Sequence, residues 1–265
     1  MKVYISADIE GISTTTRAED TRAAEADYPY HARQMTREVL AAIEGATEAG
    51  ATEIVLRDAH GKGANIDITC LPRHVKVIRN WEGHPYMMVQ GIDNSFDAAM
   101  FVGYHCAAGG IGNPISHTMT GRTQKVTVND MPLSEFLLYS WCAANEGVPA
   151  VFLSGDEMIC KQGSEVYPWL TTAAVKEGIG ASTFSVAPDL AVDMIREGAR
   201  KALEQDLSAC QPQIPEHFSV RLTYKEHADA TAMSYFPGAF KVDSHTVGLE
   251  EDDIFELARK LKFMF

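Results

Sequence analysis

The sequence predicts an α/β fold of three layers, a mostly parallel sheet flanked by helices, with a second, smaller α/β lobe. Two observations carry this expectation. Short apolar runs alternate with amphipathic helical patterns along most of the 265 residues, which is the pattern of strands joined by crossover helices. The run Ala98-Ala99-Met100-Phe101-Val102-Gly103 is almost wholly apolar, as strands covered on both faces are.

Taken in order, Val3-Tyr4-Ile5-Ser6-Ala7 reads as the first strand. A helix over about residues 31–49 follows from Met35, Val39, Leu40, Ile43 and Ala46 at helical spacing, with Gly50 where a C-cap belongs. Residues 53–56 and 75–78 are further strands, and 98–103 is a fourth. A helix over about 133–146 leads into the buried strand 149–153. Beyond it, residues 188–205 form a helix with Leu190, Ala191, Met194, Ile195 and Ala202 on one face, 218–222 a strand, and Ile254, Leu257, Ala258 and Leu261 a closing helix. We expect one domain over 1–265, with lobes 1–150 and 151–265 that meet diffusely near 145–165.

Composition narrows the function. A formal net charge of −13 repels nucleic-acid backbones and anionic membrane surfaces. No apolar stretch approaches the length of a membrane span, and Asp8 interrupts the start where a signal peptide needs its apolar run. Cys70, Cys106, Cys142, Cys160 and Cys210 are odd in number and scattered, so reduced thiols and a cytoplasmic location are expected.

Ligands of open α/β sheets gather beyond the carboxyl ends of the strands. The first strand runs into Asp8-Ile9-Glu10, the second into Asp58-Ala59-His60, and the fourth into Tyr104-His105. Residues two apart in extended chain share a side, so Asp8 and Glu10 face one place. Glu135 begins an otherwise apolar helix. A mixed Asp/Glu/His set suits zinc or a similar divalent ion. Five donors exceed the three that one catalytic zinc takes from protein, and two ions sharing a carboxylate use them more naturally. Each residue also has a bland reading: Asp8 as a turn cap, His60 and His105 as imidazoles bonded to backbone, Glu135 as a complement to its helix dipole. His117 follows a Gly109-Gly110-Ile111-Gly112 loop and is either a proton-transfer group or a solvated loop histidine. Glu250 to Asp253 form an acidic run that a helix start explains. Dinucleotide, phosphate-loop and serine-elbow motifs are absent.

The ordered set Asp8-Ile9-Glu10-Gly11-Ile12, Asp58-Ala59-His60-Gly61-Lys62, Gly103-Tyr104-His105, Ser116-His117-Thr118-Met119 and Asn129-Asp130-x-Pro132-x-x-Glu135 resembles the M55 metallopeptidases, the DppA-type D-aminopeptidase family historically called dipeptide transport proteins. The likeness continues through Met88-Val89-Gln90-Gly91-Ile92-Asp93, Gly155-Asp156 and 171–176. It implies a zinc-dependent aminopeptidase that takes short peptide substrates and releases N-terminal D-amino acids, with two zinc ions per subunit held by Asp8, Glu10, His60, His105 and Glu135. It also implies His117 as the catalytic histidine and a homo-oligomer, a decamer around an inner chamber. Asp58 is a candidate to orient a ligand or to hold the loop. Lys62, Asn65 and Lys176 match family positions, with surface lysines as the default reading, and Cys106 should face away into the core. The competing readings are a related amidohydrolase acting on other amides or cell-wall fragments, and a peptide-binding protein of an uptake system.

Overall fold

The fold was analysed in a computed structural model that describes residues 1–265. In chain order the elements are β1 (Lys2–Ala7), α1 (Tyr28–Glu48), β2 (Glu53–Asp58), β3 (Val75–Ile78), β4 (Ala98–Tyr104), β5 (Thr123–Val128) and β6 (Met131–Pro132). There follow α2 (Glu135–Asn145), β7 (Ala150–Asp156), α3 (Glu157–Val166), β8 (Thr171–Ile179), β9 (Ser182–Ser185) and α4 (Pro188–Glu204). The chain closes with β10 (Phe218–Tyr224), α5 (His227–Met233), β11 (Ala239–Lys241), β12 (Thr246–Glu251) and α6 (Ile254–Met264).

Seven strands form the main sheet in the order β3-β2-β1-β4-β7-β8-β9, parallel except for the β8–β9 hairpin. Parallel pairing requires crossovers, and the apolar strands β1, β4 and β7 are buried on both faces as that arrangement demands. One face carries Val3, Ile5, Ala7, Leu56 and Met100 against Val39 and Ile43 of α1 and Ile195 and Ala199 of α4. The other carries Tyr4, Phe101 and Leu153 against Phe136 and Leu137 of α2 and the apolar side of the second sheet.

That second sheet is antiparallel, in the order β11-β12-β10-β5-β6. It is covered by Leu257 and Leu261 of α6, which pack with Val126, Leu222 and Leu249. Its strands come from residues 123–132 and 218–251, on either side of the stretch 145–165 where a lobe boundary was expected; that stretch lies within α2, β7 and α3. One smaller expectation shifts. Glu250 and Glu251 end β12, and only Asp253 caps α6, where its side chain accepts from the Glu256 amide. All five cysteines are free, four of them buried. No helix is long and apolar enough to cross a membrane.

Candidate metal centre

In the main sheet β1 lies between β2 and β4, parallel to both, so the chain leaving these three strands converges at one edge. Backbone bonds continue the pairing past the strand ends: the Asp8 amide donates to Val102, the Ala59 amide to Ala7 and the Gly11 amide to Gly103. This close approach needs two glycines. A Cβ on Gly11 would sit 1.8 Å from the Tyr104 carbonyl oxygen, and one on Gly103 (φ +73°) would sit 2.3 Å from that of Asp8. Glu135 enters from α2, whose N-cap Ser134 accepts from the Leu137 amide. The Met119 amide donates to Glu135 Oε1 at 2.6 Å, fixing the carboxylate toward the strand ends.

The structure brings the five expected residues together. His60 Nδ1 is 3.0 Å from Glu10 Oε2 and 3.3 Å from Asp8 Oδ1. His105 Nε2 lies 3.6 Å from Asp8 Oδ2 and 3.6 Å from Glu135 Oε2. Candidate ligand atoms of Asp8, Glu10 and His105 all lie within 4.8 Å of one another. His117 joins at the edge: its ring stacks on His105 with centroids 4.5 Å apart, and Nε2 is 3.6 Å from Glu135 Oε1. The same 4.8 Å limit encloses His105, His117 and Glu135.

Each imidazole meets a backbone carbonyl on its other nitrogen. His60 Nε2 donates to Thr21 at 3.0 Å, His105 Nδ1 to its neighbour Cys106 at 3.0 Å, and His117 Nδ1 to Ile115 at 3.0 Å. A proton held there leaves the opposite nitrogen free to present its lone pair to the cluster, the support a metal-binding histidine needs.

The electrostatics call for a cation. Burial and the nearby Glu10 carboxylate raise the Asp8 carboxyl well above the usual range. Burial also opposes ionisation of Glu10 and Glu135, yet His60 holds Glu10 well below its ordinary value and His105 lowers Glu135. In return, against the effect of burial, Glu10 and Asp8 lift His60 well above 6.5, and Glu135 with Asp8 lifts His105 to about 10. Protons on the imidazoles therefore compensate three crowded carboxylates. Glu10 Oε2 and His105 Nε2 are buried and make no hydrogen bond, an expensive condition for polar atoms. A divalent ion meets both demands, so the residues fit zinc.

Residues around the centre hold its frame. Asp58 does not touch the His60 ring. It accepts from the Asn65 and Ile66 amides and from Asn65 Nδ2, which also donates to the His60 carbonyl. Lys62 is exposed. Lys176 departs from its default reading as a surface lysine: it is 3% exposed, and its ammonium donates to the carbonyls of Glu10 and Thr15. Asn113 Nδ2 donates to the same Glu10 carbonyl at 3.0 Å and to Asp156 Oδ2 at 3.3 Å, while Asp156 Oδ2 accepts from the Cys106 amide. Asn113, Asp156 and Lys176 thus join the segments carrying Glu10, His105 and His117. Cys106 is buried, and burial pushes its thiol to about 12, the opposite of what a thiolate ligand requires.

The donors open into a cavity of about 350 Å³, whose apolar side is formed by Ala59, Trp81, Met87, Met88 and Met119. Sequence reasoning gave none of these a role at the site. Trp81 follows β3, separated from β4 by β2 and β1, and no local pattern reveals that it turns back to the Gly61 carbonyl beside His60.

Comparison with known proteins agrees with this geometry. The family model described as Peptidase M55, D-aminopeptidase, matches residues 1–263. A curated D-aminopeptidase of Bacillus subtilis (strain 168) is 29% identical over 266 residues, covering 100% of this chain and 96% of the relative. The solved structure of the Zn-dependent D-aminopeptidase DppA from Bacillus subtilis, a self-compartmentalizing protease, has a TM-score of 0.90 and 27% identity, covering 100% of this chain and 96% of that one. With strand-end donors, fold and sequence in accord over nearly its full length, this chain belongs to the M55 peptidase family of D-aminopeptidases.

Proposed function

We propose that the chain is a zinc-dependent aminopeptidase releasing N-terminal D-amino acids from short peptides. In this reading Asp8, Glu10, His60, His105 and Glu135 hold two zinc ions per subunit and His117 is the catalytic residue. The observation that carries it is the convergence of three buried carboxylates and three imidazoles at one point, where Glu10 Oε2 and His105 Nε2 are buried and face only other members of the cluster. Asp8 stands between two of the imidazoles, with Oδ1 toward His60 and Oδ2 toward His105.

Zinc bound there supplies Lewis acidity toward the scissile carbonyl and lowers the pKa of water toward neutrality. The remaining work belongs to side chains. His117 keeps one proton on the Ile115 carbonyl and turns Nε2 to the cavity edge. There its Nε2 lone pair takes the proton given up by the attacking water and passes that proton to the departing amine. Glu135 Oε1, 3.6 Å away, orients that ring. The buried Asn113–Asp156–Lys176 set keeps the Glu10 and His105 segments in register. The self-compartmentalizing relative supports a homo-oligomer; in our reading it is a decamer working in the cytoplasm on short peptides.

The test is hydrolysis of D-Ala-D-Ala against L-Ala-L-Ala, with and without chelator, alongside metal analysis. We expect turnover of the D,D peptide alone, its loss on chelation, and two zinc ions per chain. Equal turnover of both stereoisomers, or turnover indifferent to chelation, overturns the reading. Tight peptide binding without hydrolysis favours the uptake-component alternative.

A further inference from the structure

The apolar side of the cavity is a built surface. The Trp81 indole Nε1 donates to the Gly61 carbonyl at 2.6 Å, which fixes the ring beside His60. One indole face lies 4.1 Å from the guanidinium carbon of Arg57. Arg57 is itself buried and anchored through Nη1 to the carbonyl of Asn80 at 2.5 Å. Trp81 is thus held by its edge and by one face, and it remains partly exposed to the cavity. Met87, Met88 and Met119 line the same cavity; the Met119 amide is tied to Glu135, and its sulfur accepts from the Tyr139 hydroxyl at 3.3 Å. Met87 and Met119 both have positive φ, 30° and 61°. Such backbone is uncommon for a residue with a long side chain, and both residues line the cavity.

The two ends of this surface are chemically distinct. Trp81 adjoins Gly61 and His60, with Glu10 beyond, whereas Met119 adjoins Glu135 and His117. If His117 protonates the departing amine, the leaving group lies at the Met119 end and the N-terminal residue at the Trp81 end. We propose that Trp81, with Met87 and Met88, receives the side chain of the N-terminal residue, so that the preferred substrates are short peptides or amides whose first D-residue is bulky and apolar. The proposal rests on the aminopeptidase reading above and deepens it. A fixed aromatic face gives a flat apolar contact at small entropic loss, and neighbouring methionines adapt to side chains of different shape. A volume of about 350 Å³ lies at the small end of ligand sites, which suits one large side chain and a short leaving group.

The experiment compares kcat/KM for D-Phe-amide, D-Leu-amide and D-Ala-amide, which share ammonia as leaving group, in wild type, Trp81→Ala and Trp81→Phe. Apolar contacts of this size discriminate by about tenfold or more. We expect wild type to prefer D-Phe and D-Leu over D-Ala by that factor, Trp81→Phe to keep the preference, and Trp81→Ala to bring the ratio within threefold of unity. Calorimetric binding of the products D-Phe and D-Ala should show the same ratios without turnover. Melting temperature and zinc content identify a Trp81→Ala protein that has lost its fold, in which case Trp81→Leu takes its place. An unchanged ratio in a folded, zinc-loaded Ala or Leu variant overturns the Trp81 assignment and leaves the aminopeptidase reading standing. So does a wild type that prefers D-Ala. A zinc-loaded wild type that hydrolyses no D-amide or D-peptide brings down both.

Discussion

Replacing Lys176 by Met should flatten part of the pH dependence of stability, with a size that follows from its surroundings. Burial lowers the Lys176 ammonium from 10.5 to about 8, against the opposing pull of Asp156 and Glu38. Between those values the unfolded chain binds more protons at this position than the folded one, so stability rises with pH through the window. The full swing is about 3.4 kcal/mol, of which about 2.5 kcal/mol falls between pH 7 and pH 10. Other groups titrate in that range, notably buried tyrosines and cysteines, so the quantity to measure is a difference. Urea unfolding of metal-free wild type and Lys176→Met at both pH values should show wild type gaining about 2–3 kcal/mol relative to the variant. A difference that stays constant within about 0.5 kcal/mol would refute the claim that burial lowers this ammonium.

His117→Ala should retain its zinc while kcat/KM falls about 10²- to 10⁴-fold; loss of metal in that variant would make His117 a ligand instead. Ser134→Ala removes the cap that starts α2 at Glu135 and should lower stability by about 1 kcal/mol, read from the urea midpoint. Gly103→Ala, at φ +73° and with its Cβ 2.3 Å from the Asp8 carbonyl, should yield protein with much reduced zinc content by metal analysis. Zinc binding should release protons, because His60 and His105 are raised above neutrality by their carboxylate neighbours and ligation needs them neutral. Zinc affinity should therefore climb steeply from pH 6 to pH 8, and calorimetry in two buffers of different ionisation enthalpy counts the protons.

The parts of this molecule legible in sequence are those where a local pattern carries the physics. β1, β4 and β7 are apolar runs because both faces are covered. Asp8 and Glu10 were readable as a pair from their spacing just past a strand, and Glu135 from its place at the head of an apolar helix. The second sheet was poorly legible. Its strands are antiparallel and half exposed, so β5 reads Thr-Gln-Lys-Val-Thr-Val with a weak alternation. They also join segments more than 80 residues apart, Val220 opposite Val128 for instance. Lys176 looked like a surface lysine because its partners, the Glu10 and Thr15 carbonyls, are 166 and 161 residues away. Trp81 gave no sign at all, since only the β3–β2–β1 order turns it toward His60.

The division of labour at the centre explains why the proposed ligands stand out in the sequence and their supports do not. Metal-binding imidazoles are commonly oriented by carboxylates on their far nitrogen. Here all three carboxylates of the cluster face inward, and the far nitrogens of His60, His105 and His117 rest on the carbonyls of Thr21, Cys106 and Ile115. Any residue type supplies a carbonyl, so those supports leave no mark in the sequence. What they require is a fixed backbone path, and that path depends on a few positions without tolerance: Gly11 and Gly103, where strand exits touch, and the buried donors of Asn113 and Lys176 on the Glu10 carbonyl. The accepting carbonyls need no particular side chain for this role, whereas a methyl group at either glycine collides with the neighbouring strand exit. The chemistry of the centre is therefore written in side chains, and its geometry is enforced by backbone.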